Sequence, residues 1–235
     1  MDKLYIVIPS YNEVDTIEEV IKDWYEVVKK FSKESRLVIF DGKSKYGTDK
    51  VIKKMCKKMP QLVFESREKI GHGPTVHLAY KYAIDKGANY IFQTDADGQT
   101  VADEFWQFWE ERNNYDAIIG HRNHRKDGIS RIIVTKTLKL VLILIFGISV
   151  TDANTPFRLM NVKVLKKYID KIPSKFNLPN VMLTVMFLKK KEKVKFIPIT
   201  FKDRQGGDNK INLKSITKIG IQAVKDFKEM KKLLK

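Results

Sequence analysis

Gln93-Thr94-Asp95-Ala96-Asp97-Gly98-Gln99 follows directly on Ala88-Asn89-Tyr90-Ile91-Phe92. The apolar run reads as a short buried strand, and the polar run as its exit into a glycine-containing turn. In extended chain, residues i and i+2 point to the same side, so Asp95 and Asp97 can face one small volume. Two carboxylates that close repel unless a cation lies between them. Hard oxygen ligands with open positions suit Mg²⁺ or Mn²⁺ bridging a diphosphate. The same residues also suit a polar turn that merely ends a strand.

Working outward, strand-like and helix-like segments alternate. Strands are expected at Leu4–Ile8, Leu37–Phe40, Leu62–Phe64, Tyr90–Phe92 and Ala117–Ile119. Helices are expected at 13–30, 48–58, 74–86 and 101–112. Val14, Ile17, Val20, Ile21, Trp24 and Val28 form the apolar stripe of the first helix. Such alternation predicts an α/β fold with a mostly parallel sheet flanked by helices. Ligands of such sheets bind at the carboxyl ends of the strands. The polar clusters Pro9–Glu13, Asp41–Thr48 and Asp95–Gln99 each follow a predicted strand.

The chain of 235 residues carries a net charge of +17, unevenly distributed. Residues 1–120 hold 18 Lys and Arg against 20 Asp and Glu, whereas residues 121–235 hold 27 against 8. The basic half predicts an anionic partner, with nucleic acid and anionic lipid as the two candidates, or a merely solvated basic surface. The single cysteine, Cys56, excludes an intramolecular disulfide framework and fits a reducing compartment. No signal peptide is expected, because Met1-Asp2-Lys3 leads straight into a strand.

Residues 129–150 read as a very apolar helix, too short to span a bilayer and interrupted by Gly147. It suits either a membrane interface or a buried core. Residues 214–235 read as a basic amphipathic helix, with Val224 and Phe227 inward and Lys225, Lys228, Lys231 and Lys232 outward. The expected division is a domain over 1–210 and this C-terminal helix over 211–235.

Five segments together resemble family 2 glycosyltransferases of the GT-A fold. Ile8-Pro9-Ser10-Tyr11-Asn12-Glu13 resembles the opening motif, and Asp41-Gly42-Lys43-Ser44-Lys45-Tyr46-Gly47-Thr48 the second. Asp95-Ala96-Asp97-Gly98-Gln99 resembles the metal motif. Asp152 to Leu159 and Ile197 to Gly207 resemble later segments of the polyprenyl-phosphate branch, which includes the dolichyl-phosphate mannosyltransferase-like and glucosyltransferase-like enzymes. The resemblance runs in order along nearly the whole chain. It implies an inverting, metal-dependent hexosyltransferase using a UDP- or GDP-sugar. Pro9, Tyr11, Glu13, Asp41, Gly71 and Asp95 would bind the nucleotide. Asp95, Asp97 and Gln99 would hold Mg²⁺ or Mn²⁺. Phe40, Tyr46 and Pro156 depart from the motifs at positions usually held by Asp, Asp and Gly.

One absence points to the acceptor. Members acting on hydroxyls usually carry an acidic pair beside the acceptor as general base. The comparable stretch here, Phe176-Asn177-Leu178-Pro179-Asn180-Val181-Met182-Leu183, has no carboxylate. A phosphate acceptor is already an anion and needs cations instead. Arg122, Arg125, Arg131, Arg158 and Arg204 lie in the basic half, and arginine suits phosphate oxygens. Together with Asp97, Arg122, Arg131, Arg158 and Arg204 are the expected catalytic set. The expected acceptor is a polyprenyl phosphate, met by a cytoplasmic protein peripheral to the membrane. Transfer to a sugar hydroxyl in surface-polysaccharide synthesis is the alternative, with Asp152 as the candidate base. A basic nucleic-acid-binding module is the non-enzyme alternative. It lacks the usual aromatic-basic RNA motifs, so no nucleic-acid partner is expected.

Overall fold

The computed structural model describes residues 2–122, 129–203 and 213–233, with side chains over 2–122 and 135–203 and, in the last stretch, at 220 and 222–232. The strands are β1 (Leu4–Ser10), β2 (Arg36–Asp41), β3 (Leu62–Ser66), β4 (Tyr90–Gln93), β5 (Ala117–Arg122), β6 (Arg158–Asn161) and β7 (Val194–Ile199). They form one sheet in the order β3-β2-β1-β4-β6-β5-β7. The helices are α1 (Ile17–Val28), α2 (Thr48–Cys56), α3 (His72–Asp85), α4 (Phe105–Glu110), α5 (Ile129–Phe146), α6 (Val162–Ile169), α7 (Pro179–Lys189) and α8 (Leu213–Leu233).

Strand pleating sorts the side chains into two cores. Leu4, Ile6, Ile8, Leu37 and Ile39 face α1, α2 and α4. Their alternates Tyr5, Val7, Val38 and Phe40 face α3 and α5–α8. Both faces are covered, which is why the strands read as continuous apolar runs.

Only β6 runs antiparallel to its neighbours, pairing Gln93 with Arg158 across β4 and Ile119 with Arg158 across β5. The reversal has a geometric consequence. The start of β6 meets the carboxyl ends of β4 and β5, so the loop entering β6 joins the loops leaving β1, β2 and β4 on one sheet edge. Ser10 pairs with Asp41, and Val7 with Gln93, along the same edge.

The expected elements of the first half are present, with α3 starting at His72 and α4 shortened behind a 3-10 turn at Ala102–Glu104. β6, α6, α7 and β7 lie beyond the predicted set. β6, α7 and β7 hide their period, whereas α6 is amphipathic and buries Val162, Leu165 and Ile169 on one side. β6 has four residues and opens on a buried arginine. α7 is buried from Pro179 to Phe187 and therefore shows no polar face. β7 contains Pro198, which an edge strand tolerates because one side of it needs no ladder bonds.

α5 is buried on one side and exposed on the other. Leu142, Ile145 and Phe146 are buried, while Leu140, Ile143 and Leu144 are 56%, 41% and 73% exposed. Among the described residues, no helix is long and apolar enough to cross a membrane. α8 packs on α5, burying Phe227 and Met230 in the same core and bringing Phe227 against Phe146 and Phe176. Val224 is half-buried, and Lys225, Lys228, Lys231 and Lys232 are exposed. α8 thus contributes Phe227 and Met230 to the same core as α3 and α5–α7.

Candidate active site

The loops leaving β1 and β2 are tied to each other. Asp41 is buried and accepts from the Ser44 amide at 2.8 Å and from the Ser44 hydroxyl. Ser44 Oγ accepts from the Asn12 amide at 2.8 Å, and Asn12 Oδ1 accepts from the Lys45 amide at 3.0 Å. Asn12 and Lys43 adopt positive φ of 56° and 52° inside this knot. Asp41 therefore builds the loop as well as lying at its floor. A Cβ on Gly42 would sit 3.2 Å from the Tyr11 ring, and Lys69 Nζ stands 3.7 Å over that ring. Tyr11, Gly42 and Lys69 thus pack together, and Pro9 is buried in β1. Phe40 packs on Tyr82 at 5.4 Å, and Tyr46 is exposed.

Asp95 and Asp97 leave β4 on the same edge, both partly exposed. Asp95 Oδ1 accepts from Gln93 Nε2 at 3.1 Å and lies 3.0 Å from His72 Nε2, the first residue of α3. His72 is exposed, and its contact with Asp95 together with the nearby Asp97 raises its pKa. Asp97 Oδ1 accepts from the Gln99 amide at 3.2 Å. Thr16 Oγ1 donates to the Ala96 carbonyl at 2.8 Å, tying the Glu13 turn to this motif. Gln99 is buried, and its side chain donates to the Lys202 carbonyl at 2.9 Å while its own carbonyl accepts from the Lys202 amide. It pins the segment after β7 to the aspartate motif.

Among the described residues, no three His, Cys, Asp or Glu side chains converge as a metal cage. Two carboxylates nevertheless fit Mg²⁺ or Mn²⁺, which keep water and substrate phosphate oxygens as remaining ligands. Ser10 Oγ and Thr155 Oγ1, at the same edge, are buried with no hydrogen-bond partner among the described residues, as befits a place that a polar ligand completes.

The glycine pair of the β3–α3 loop serves two ends. Gly71 has φ +101°, a turn that only glycine makes cheaply. Gly73 admits the backbone of another segment: a Cβ there would lie 2.2 Å from the Asn177 carbonyl oxygen. Residues 176–178 are thereby pressed against the start of α3, one residue from His72 and its Asp95 contact. Gly73→Ala is expected to cost about 3 kcal/mol and to lower Tm by roughly 5–10 °C, read by thermal unfolding.

The arginines separate. Arg122 is the last residue of β5 and binds both oxygens of Asp152 through one edge of its guanidinium, Nε at 2.7 Å and Nη2 at 2.9 Å. It also stacks 5.0 Å from Phe201. Both oxygens of Asp152 are engaged by this cation, which makes it a poor general base. Arg158 corrects the expectation of a direct phosphate contact. It is fully buried, and its five N–H donors make five contacts, to the carbonyls of Ala153, Thr155 (twice) and Asn180 and to Thr184 Oγ1. Burial pulls its pKa down, opposed by Tyr80 and Asp152. Arg131 is in α5, and its side chain lies outside the described residues, as do Arg125 and Arg204.

Tyr80, Asn180 and Gln93 belong to the site without standing out as functional residues in the sequence. The signal for Gln93 was present: it is a polar residue ending an otherwise apolar strand.

The glycosyl transferase family 2 model matches residues 5–169. Undecaprenyl-phosphate mannosyltransferase of Micrococcus luteus is 23% identical over 219 residues, covering 89% of this chain and 88% of the relative. Glucosyl-3-phosphoglycerate synthase from Mycobacterium tuberculosis, solved with Mn²⁺, UDP and glucosyl-3-phosphoglycerate, superposes with a TM-score of 0.69 at 12% identity, over 97% of this chain and 80% of that one. Its complex with Mn²⁺, UDP-glucose and phosphoglyceric acid gives a TM-score of 0.70 at 12% identity, over 98% and 80%. The sheet and its helices are those of the GT-A fold.

Proposed function

The chain belongs to glycosyl transferase family 2, and from that premise we propose that it transfers a hexose from a UDP- or GDP-sugar to a polyprenyl phosphate, with inversion, using Mg²⁺ or Mn²⁺. The observation that carries the acceptor is the segment beside the aspartate motif. Gly73 presses Phe176-Asn177-Leu178 against the start of α3, where His72 meets Asp95, and this segment offers no carboxylate. The alternative base, Asp152, has both of its oxygens held by one edge of Arg122. Among the described residues this segment offers a hydroxyl acceptor no base, whereas a phosphate oxygen needs none. The Micrococcus relative, named for an undecaprenyl-phosphate acceptor, supports the same reading.

In the proposed reaction an acceptor phosphate oxygen attacks the anomeric carbon as the bond from that carbon to the diphosphate oxygen breaks. The nucleoside diphosphate leaves as an anion, and no proton has to be removed. Asp95 and Asp97 would hold the metal, whose bound charge stabilises the leaving diphosphate. Pro9, Tyr11, Glu13 and Asp41 line the nucleotide end, and Gly71 gives the loop its turn. Gln99 serves this site by holding the segment that leads to Arg204. Incubation with UDP- and GDP-sugars, Mn²⁺ and undecaprenyl phosphate should yield a glycolipid. Donor binding with transfer to sugar hydroxyls and none to the lipid phosphate would overturn the acceptor.

A lipid acceptor requires a membrane face, and we place it on α5. Leu140, Ile143 and Leu144 project outward beside exposed Lys136 and Lys139, and the adjoining α8 exposes four more lysines. Apolar residues flanked by lysine suit an anionic bilayer approached from the cytoplasmic side. Leu140→Asp with Leu144→Asp is expected to reduce co-sedimentation with phosphatidylglycerol vesicles at least tenfold, by roughly the burial energy of the two side chains. Both residues are exposed, so folding should survive. Unchanged sedimentation would remove this face from the proposal.

A further inference from the structure

Gln93 is completely buried, and the hydrogen bonds around it run in one direction. The Tyr80 hydroxyl donates to Asn180 Oδ1 at 2.7 Å. Asn180 Nδ2 donates to Gln93 Oε1 at 2.9 Å. Gln93 Nε2 then donates to Asp95 Oδ1 at 3.1 Å. The Asp95 carboxylate can only accept, so Gln93 turns its nitrogen to Asp95 and its oxygen inward, where that oxygen accepts from Asn180 Nδ2 and lies 3.4 Å from the Tyr80 hydroxyl. Tyr80 and Asn180 come from α3 and α7, so packing of two helices sets the orientation of one amide on β4. Burial raises the Tyr80 pKa, which keeps the hydroxyl protonated as this chain needs.

We propose that Gln93 is a positioning residue for the carboxylate of Asp95, locked in its orientation by Asn180 and Tyr80. The proposal rests on the reading of Asp95 and Asp97 as metal ligands. A carboxylate held by an N–H on one oxygen keeps a fixed plane, and outer-shell partners of this kind change metal affinity by about 10–100-fold when removed. The far end of the buried network, where Thr184 meets Arg158, has no contact with Asp95 and supplies a control.

The test is Mn²⁺ titration of the full chain with UDP and, separately, GDP present, free metal being read by electron paramagnetic resonance. Gln93→Met keeps the size of the side chain and removes its donor. Thr184→Val removes an equally buried hydroxyl from the other end. Gln93→Met should bind Mn²⁺ at least about tenfold more weakly, with Thr184→Val close to wild type even where both melt lower. Wild-type affinity in Gln93→Met overturns the proposal, and so does an equal loss in Thr184→Val. If Gln93→Met does not fold, Tyr80→Phe decides: about threefold weaker binding supports the lock, and unchanged binding overturns it. Mn²⁺ binding that is indifferent to Asp97→Asn would instead overturn the metal reading of the site, a separate failure.

Discussion

Asp97→Asn is expected to lower metal-dependent transfer by roughly a thousandfold, about 4 kcal/mol of lost stabilisation of the leaving diphosphate. The change removes one negative charge and almost no volume. Asp95 and Asp97 lie one residue apart at the end of β4, and each disfavours the other's charge. Neutralising Asp97 relieves that repulsion, so the melting temperature should hold steady or rise slightly. The two measurements therefore move apart: transfer to undecaprenyl phosphate collapses, and thermal unfolding does not. Mn²⁺ affinity should fall with the rate. Transfer and Mn²⁺ affinity both at wild-type levels would show that the pair is a turn and not a metal site.

Arg158→Leu is expected to destabilise the protein by about 4 kcal/mol and to lower Tm by roughly 10 °C. The guanidinium sits in the interior and makes all five of its possible contacts there. Leucine leaves the carbonyls of Ala153, Thr155 and Asn180 without these donors in a place water does not reach. It also removes a positive charge that offsets Asp152. Arg158→Lys should recover only part of the loss, because an ammonium cannot fork to carbonyls on both sides. Equilibrium unfolding in urea separates this from a ligand-contact role. A variant with native stability and impaired transfer would return Arg158 to the phosphate.

Much of this molecule is legible before folding. β1, β2, β4 and β5 are buried on both faces, so each appears as an apolar run bounded by polar turns. The aspartate pair, the Asn12 and Asp41 loops and the glycines at 71 and 73 all lie just past those runs, which places them on one edge. Legibility fails where tertiary contact replaces pattern. α7 lacks a polar face because helices and sheet surround it. Gly73 looks like a ligand-approach glycine, yet its space is filled by Asn177 of a segment a hundred residues away. Arg158 looks like a phosphate-binding arginine because its type and its neighbours, Phe157 and Leu159, say nothing about burial.

The order of apolar and polar residues by itself determined the α/β architecture, the shared edge and the two carboxylates on it, since strand period and turn chemistry are local properties. The reversed strand β6 decided the rest. By running antiparallel it set Arg158 opposite Gln93, brought the loop of Asp152 to the edge where Arg122 ends, and assigned one arginine to the interior and another to an ion pair. Those assignments depend on which donors meet which acceptors after water has left, and residues distant in sequence meet only in the folded chain.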